Sequence, residues 1–321
     1  MDAPPEPPPR PRGPFDFRVS ASGIVHADDL GLLPATNATA VVEVLDPGAE
    51  PRRELRYSMK KGDRGGLAMT MDMTMTLRLA NQPPRTTLLP RMVMLFDVAI
   101  TESENADVYF TSTVREARAE PRDGVDAKVA AALSPKLARM AGMVTKCWMD
   151  PRGNVRDATA ELPPGAPAEL EATLDQVRQA IEGSSVPLPI EAVGSGAKWR
   201  VLKRLVAGGL DIVQVASYRL DELHDDEIVL DAVVTQVAAA ETAQPKGIPV
   251  RVLHFGSTGG GRSRIELNRP VIPNAEAQSD TATEMQVFTA GVEVNTAVDV
   301  QLRMQVSPVE LPATKPKRKR K

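Results

Sequence analysis

Ala68 to Ala80 reads A-M-T-M-D-M-T-M-T-L-R-L-A, with an apolar side chain at every second position. Met69, Met71, Met73, Met75, Leu77 and Leu79 point one way, and Thr70, Asp72, Thr74, Thr76 and Arg78 the other. A period of two is the signature of a half-buried β-strand, because a helix would scatter the same residues around its circumference. The pattern places the chain among antiparallel β proteins.

Working outward, Leu55, Tyr57 and Met59 alternate before the turn K-G-D-R-G-G, so a hairpin with the methionine strand is expected. Further strands are expected at 91–101 and 107–119, joined by the acidic turn E-S-E-N, and at 143–149 and 155–162 around D-P-R-G-N. They resume at 198–206, 210–223, 227–239, 250–255 and 264–267, and a single long strand is expected over 285–306, bent near Gly291. Ala40 to Leu45 suits an edge strand. The alanine-rich stretch 125–142 has near-helical spacing that Pro135 is expected to break or bend. The clearest helix is 168–181, where Leu170, Leu174, Val177 and Ile181 share a face and Gly183 follows as a stop.

The expected fold is therefore α+β, predominantly antiparallel β: a strongly curved sheet or two β-rich lobes, with the 168–181 helix covering one apolar face. Residues 1–14 are a proline-rich arm and 15–51 a weakly ordered entry segment. A first β-rich half with helices spans 52–190, a second spans 191–306, and 307–321 form a disordered basic tail. The halves carry a candidate duplication. Without gaps, Ile100, Glu102, Val108, Phe110 and Val114 align with Leu220, Glu222, Ile228, Leu230 and Val234, each set running strand, acidic turn, strand. The competing reading is that any two hairpins look alike under a period of two.

Composition narrows the chemistry. At 321 residues and 42% hydrophobic, the chain can bury a sizeable core. Its net charge is −3, but six positive charges crowd the last seven residues, leaving roughly −9 on the rest, a body that repels nucleic acid. The one cysteine, Cys147, has no internal disulfide partner and reads as buried packing beside Trp148, and three histidines are few for a metalloenzyme. His26, His224 and His254 lie in separate contexts, and Asp225, Asp226 and Glu227 lack the spacing of a calcium loop. Ser195 sits in V-G-S-G-A, without the G-x-S-x-G elbow of a hydrolase.

Gly256 to Ser263, G-S-T-G-G-G-R-S, nearly matches a phosphate loop, yet Arg262 stands where lysine belongs and Pro270 interrupts the helix that should follow. A flexible hairpin loop is the better reading. The methionine thioethers are soft ligands for copper(I), but same-face neighbours on a strand lie about 7 Å apart, too far to share an ion. No catalytic residue, cofactor or metal site is assigned, and the chain is read as a non-enzyme. Met69, Met71, Met73 and Met75 are the candidate ligand-binding residues, lining an apolar surface that suits methionine's adaptable shape.

Leu162 to Trp199, containing P-L-P and then V-G-S-G-A-K-W, resembles the middle of an uncharacterised bacterial family of secreted or lipid-anchored β-rich proteins. The resemblance covers about residues 52–306, and its motif is structural. Members usually begin with an export signal that often ends in a lipid-modified cysteine, and nothing of that kind precedes Asp2 here. The resemblance thus implies the cell envelope or periplasm if an export signal lies outside the given start, and the cytoplasm if Met1 is authentic.

The expected function is binding or carriage of an apolar small molecule or lipid in a sheet concavity. The alternative is a structural or protein-interaction module with fully packed sheets. The tail residues Lys315, Lys317, Arg318, Lys319, Arg320 and Lys321 suit an anionic surface, and no specific nucleic-acid binding is expected.

Overall fold

A computed structural model describes residues 12–80, 82–166, 174, 185–244, 248–270, 274–289 and 292–311. The proline-rich arm up to residue 11, most of the expected 168–181 helix and the basic tail lie outside the described residues. The strands in chain order are β1 (Val41–Asp46), β2 (Arg64–Leu79), β3 (Arg85–Leu88), β4 (Arg91–Glu104), β5 (Asp107–Glu120), β6 (Val144–Met149) and β7 (Val155–Glu161). They continue with β8 (Lys198–Ala207), β9 (Leu210–His224), β10 (Glu227–Ala238), β11 (Thr242–Ala243), β12 (Val250–Glu266), β13 (Asn274–Thr289) and β14 (Val292–Val309). One α-helix, α1 (Ala127–Ala138), and a short 3-10 turn (Ala27–Leu32) complete the described elements.

All fourteen strands join one open antiparallel sheet in the order β1-β8-β9-β10-β12-β13-β14-β2-β4-β5-β6-β7, with β11 on β12 and β3 on β2. The long hairpin β13–β14 therefore bridges a flank built from β2 and β4–β7 to a flank built from β8–β12. The methionine strand pairs with β14 and β4, not with the Leu55–Met59 segment, so the expected hairpin is replaced by a long-range pairing. The single strand expected over 285–306 is two strands. Apolar residues switch from odd numbers (Met285, Val287) to even ones (Val294, Val298), and Val287 lies opposite Val294 across the ladder. That parity change is incompatible with one continuous strand and marks a chain reversal.

The Gly256–Ser263 segment is also not a loop; it is the middle of β12. Its glycines are required by contact. A Cβ on Gly261 would lie 2.1 Å from the Glu276 carbonyl on β13, and one on Gly260 would lie 2.6 Å from the Ala232 carbonyl on β10. Neighbouring strands close in on both sides, which only glycine permits at this point of the sheet.

The two flanks repeat one local design. In the β4–β5 hairpin Ile100 faces Phe110 and Glu102 faces Tyr109, with Thr101 bulged out. In the β9–β10 hairpin Leu220 faces Leu230 and Glu222 faces Val229, with Asp221 bulged out. The Ile100 N–H donates to the Asp63 carbonyl and the Leu220 N–H to the Ala197 carbonyl, both at 2.9 Å. Gly62 and Gly196, each in the left-handed region, donate back to the Ile100 and Leu220 carbonyls. A generic hairpin does not dictate the position of its bulge, so this shared register goes beyond a common period of two.

Extended arms precede the two units and cross, with Arg53 bridged antiparallel to Val193. Leu55, Val186, Leu188 and Val193 bury against Trp199, Leu220, Ile228 and Leu230. This explains the P-L-P and V-G-S-G-A-K-W motifs. The Trp199 indole N–H donates to the Pro187 carbonyl at 3.1 Å and its ring stacks on Tyr218, while a Cβ on Gly194 would collide with the Ala49 carbonyl at 1.8 Å. Burial pushes the Tyr218 phenol up to about 12 and raises that of Tyr57 further, with the Val186 carbonyl accepting from the Tyr57 hydroxyl.

The entry segment, expected to be weakly structured, docks on the opposite face of the sheet. Phe15, Phe17, Val25 and Leu33 pack on Leu202 and Val213. The Asp29 carboxylate is fully buried and accepts from the Arg12 and Arg18 side chains and the Arg18 N–H, which together hold it far below the usual carboxylate range. Pro135 does not break α1, which runs on to Ala138. The Ser134 hydroxyl both donates to the Ala119 carbonyl and accepts from the Ala119 N–H at 2.9 Å, tying the helix to β5 across the turn where proline removes a bond.

Gly261→Val should destabilise the fold by about 1–3 kcal/mol in urea denaturation, whereas Gly31→Ala, with nothing within 4 Å of the added methyl, should fall within about 0.5 kcal/mol of wild type. In alkaline titration, the stability that neutral Tyr218 supplies is complete below pH ~10 and is lost as pH rises toward 12. Absorbance should show Tyr57 and Tyr218 ionising only as the protein unfolds, and Tyr218→Phe should flatten the fall in stability above pH ~10.

Candidate functional site

The candidate residues stand on β2, and their partners define one face of the sheet. Met69, Met71, Met73, Met75, Leu77 and Leu79 lie directly opposite Val306, Met304, Leu302, Val300, Val298 and Thr296 of β14. Directly paired residues point the same way, so these side chains form one apolar ladder. The face continues onto β13 with Ala277, Ser279, Thr281 and Thr283, and onto β12 with Phe255, Ser257, Gly259 and Gly261. Along all four strands it carries no charged side chain among the described residues. Apart from Phe255, these neighbours on β13 and β12 are small or hydroxylated, and the Ser257 and Thr281 hydroxyls hydrogen-bond at 2.8 Å.

The structure divides the four methionines. Met69 and Met71 pack on the cluster of Met94, Val114, Ala117 and Met143, roofed by Leu137 of α1, Met140, Leu162 and Leu174. Leu174 is helical and is the one described residue of the expected 168–181 helix. Met73, Met75, Leu77 and Leu79 extend beyond the buried clusters, and Met75 is 36% exposed. The far flank of the same face is closed over by the arm core around Trp199 and by Phe255, Val250 and Val252 with Ile24. An apolar lane is left between two covered ends. From Met73 to Leu79 it runs about 20 Å.

The opposite face of the same strands is polar and internally neutralised. Asp72 accepts from Arg91 at 2.7 and 3.0 Å, with Arg122 at 3.8 Å, and the Arg91 hydrogen bonds hold its carboxyl below the usual range. Arg78 pairs with Asp299 across the β2–β14 ladder. A strand with ion pairs on one side and thioethers on the other has one surface suited to water and one suited to an apolar partner.

The remaining sequence candidates do not converge. His26 and His224 are exposed, and His254 lies opposite Glu284 in the β12–β13 ladder. The Ser195 hydroxyl donates to the Asp221 carbonyl at 3.1 Å. Cys147 is buried on β6 opposite Phe110. Among the described residues no group of three or more metal-ligating side chains comes together. Sequence reasoning assigned no strand to residues 274–284 of β13, where A-E-A-Q-S-D-T-A-T-E lacks large apolar residues.

Fold and site together define an antiparallel β protein with a long apolar lane on one face of an open sheet. No family model matches the chain, and a search of curated proteins finds no match. Among solved structures the chain is similar to DynF from the dynemicin biosynthesis pathway of Micromonospora chersina, at 8% identity over 84% of this chain and 92% of that one, with a TM-score of 0.20. It is similar to OccK11 of Pseudomonas aeruginosa at 8% identity over 79% and 99%, TM-score 0.24. For OmpT, an outer membrane protein of Vibrio cholerae, the values are 6%, 76%, 100% and 0.18. At such scores the likeness carries no argument about fold or function.

The division of the methionines has a measurable consequence. Met94→Ala, which hollows the cluster beneath Met69, should cost about 2–5 kcal/mol in chemical denaturation, while Met75→Ser should change stability by no more than about 0.5 kcal/mol.

Proposed function

We propose that this protein is a non-enzymatic binding or carrier protein for an apolar small molecule or lipid, seated along β2 and β14 in the lane floored by β13. The observation that supports it is the uncharged ladder of Met73, Met75, Leu77 and Leu79 against Leu302, Val300, Val298 and Thr296, half-open on a face whose ends are covered. An acyl chain laid there would gain about 0.8 kcal/mol for each methylene it buries. Flexible thioethers would let one lane fit chains of different shape. Met69 and Met71 anchor the covered end, and Met73 and Met75 make the contact.

The bacterial cell envelope suits such a carrier, because lipids there need transfer through an aqueous space. The basic tail adds attraction to an anionic membrane of about 1 kcal/mol for each lysine or arginine near the surface. The second reading, a protein-interaction module, draws on the same lane, since an apolar strip flanked by polar residues also accepts a polypeptide.

Native mass spectrometry of freshly purified protein should show retained lipid, and delipidated protein should take up a fluorescent fatty acid. Met75→Asp should weaken that uptake at least tenfold, about 1.4 kcal/mol, while Thr74→Asp, on the opposite face beside Arg122, should leave it unchanged. A lipid-free mass with no fatty-acid uptake would exclude carriage and leave the interaction reading.

A further inference from the structure

We propose that the ligand of the lane is an amphiphile with a polyhydroxyl head, held by a polar row that crosses the apolar face; the inference rests on the carrier reading above. Strand pairing defines the row. Lys203 on β8 lies opposite Gln214 on β9, Gln214 opposite Gln236 on β10, Gln236 opposite Ser257 on β12, and Ser257 opposite Thr281 on β13. Thr281 in turn lies opposite Val300 and Val300 opposite Met75, so the row runs into the side of the lane. Val201, Ala216 and Val234 on one side of it belong to the core around Trp199. Leu205, Ile212, Ala238 and Phe255 on the other side belong to a second cluster. The row is what separates these two clusters on a single face. Such a departure from the apolar pattern is the kind that folded proteins concentrate at functional sites.

Four neutral side chains supply the site, because Lys203 at the far end of the row already has a partner. The Gln236 amide donates to the Gln214 side-chain oxygen at 2.7 Å, and the Ser257 and Thr281 hydroxyls bond to each other at 2.8 Å. These bonds use only part of the available capacity. The Gln214 NH2 group can still donate, the Gln236 oxygen can still accept, and the two hydroxyls keep both functions between them. None of these atoms is both sealed from solvent and without a partner, so a ligand can reach those that are open. Among the described residues no acidic side chain stands in the row or beside it on this face. Hydroxyl groups match donors and acceptors that follow one another, since each both donates and accepts, whereas a carboxylate only accepts. From Thr281 to Gln214 the row spans three strand spacings, about 14 Å, longer than a single carboxylate and suited to a head of one or two sugar rings. The acyl chain would lie along Met73 to Leu79, and the head would turn across β13 at Val300.

The test is displacement of a bound neutral dye, N-phenyl-1-naphthylamine, from the full chain by three dodecyl compounds below their micelle concentrations: dodecyl maltoside, laurate and dodecanol. Dodecyl maltoside should displace the dye at a concentration at least tenfold lower than either of the others. Gln214→Leu combined with Gln236→Leu replaces both members of a bonded pair with apolar groups of similar size. That variant should lose the advantage of dodecyl maltoside while keeping wild-type displacement by dodecanol and a melting temperature no lower than wild type. Thr281→Val, at the edge of the lane, should weaken dodecyl maltoside alone. Equal displacement by all three compounds from wild type would overturn the head-group site and leave the lane standing, and laurate displacing best would assign an anionic head instead. A dodecyl maltoside advantage that survives in the glutamine variant would overturn the proposal, as would a melting temperature several degrees lower in that variant, which would show that the row bonds within the chain. Failure of the dye and all three compounds to bind wild type would remove the lane reading and this inference with it.

Discussion

A single continuous sheet whose one face is apolar over both flanks must find cover for those flanks, and the rest of the structure follows from how it does so. A β-sheet cannot leave such a surface to water without a free-energy cost that grows with area. Here the cover is local and different at each end. The flank of β4 and β5 is roofed by α1, Met140 and Leu174. The flank of β8–β10 is roofed by the crossing arms, with Leu55, Leu188 and Val193 driven onto Trp199. Between them the β13–β14 hairpin supplies width without supplying cover.

The same constraint accounts for the choice of residues. Where the face is roofed, it uses large rigid side chains such as Trp199, Ile100 and Ile228. Across the middle, β13 and β12 present alanine, serine, threonine and glycine, which bury little apolar area and tolerate water. Only β2 and β14 keep long apolar side chains there, and on β2 these are methionines, which pack adaptably. The polar face is held in register by Arg78–Asp299 and Arg91–Asp72. A slip of one residue would place those ions among the thioethers.

Much of this was legible in the sequence wherever large apolar residues alternated. The methionine strand, the β4–β5 and β9–β10 hairpins and the β6–β7 pair all fall within a few residues of their expected limits, because periodicity reports local structure directly. What escaped was set by distant contacts. Gly256–Ser263 looks like a loop because its four glycines carry no pattern, yet β10 and β13 recruit it as a strand. Residues 274–284 carry no strand signal because the positions they turn to the lane are small or hydroxylated. Pro135 has a strong local preference that packing of α1 on β5 overrides. The four methionines were correctly placed on one face, but only the position of α1 separates Met69 and Met71 in the core from Met73 and Met75 beyond it.

The most direct test of an open apolar lane uses two neighbouring residues of β13 that point to opposite faces. Thr283 lies opposite Val298 on the lane, and Ala282 lies opposite Asp299 on the polar side. Cysteines placed at each site in turn and labelled with an environment-sensitive fluorophore, with Cys147 buried and protected, would report on both. Titration with a long-chain fatty acid should shift emission to the blue at 283 and leave 282 unchanged; equal responses at the two positions, or none at either, would contradict the account.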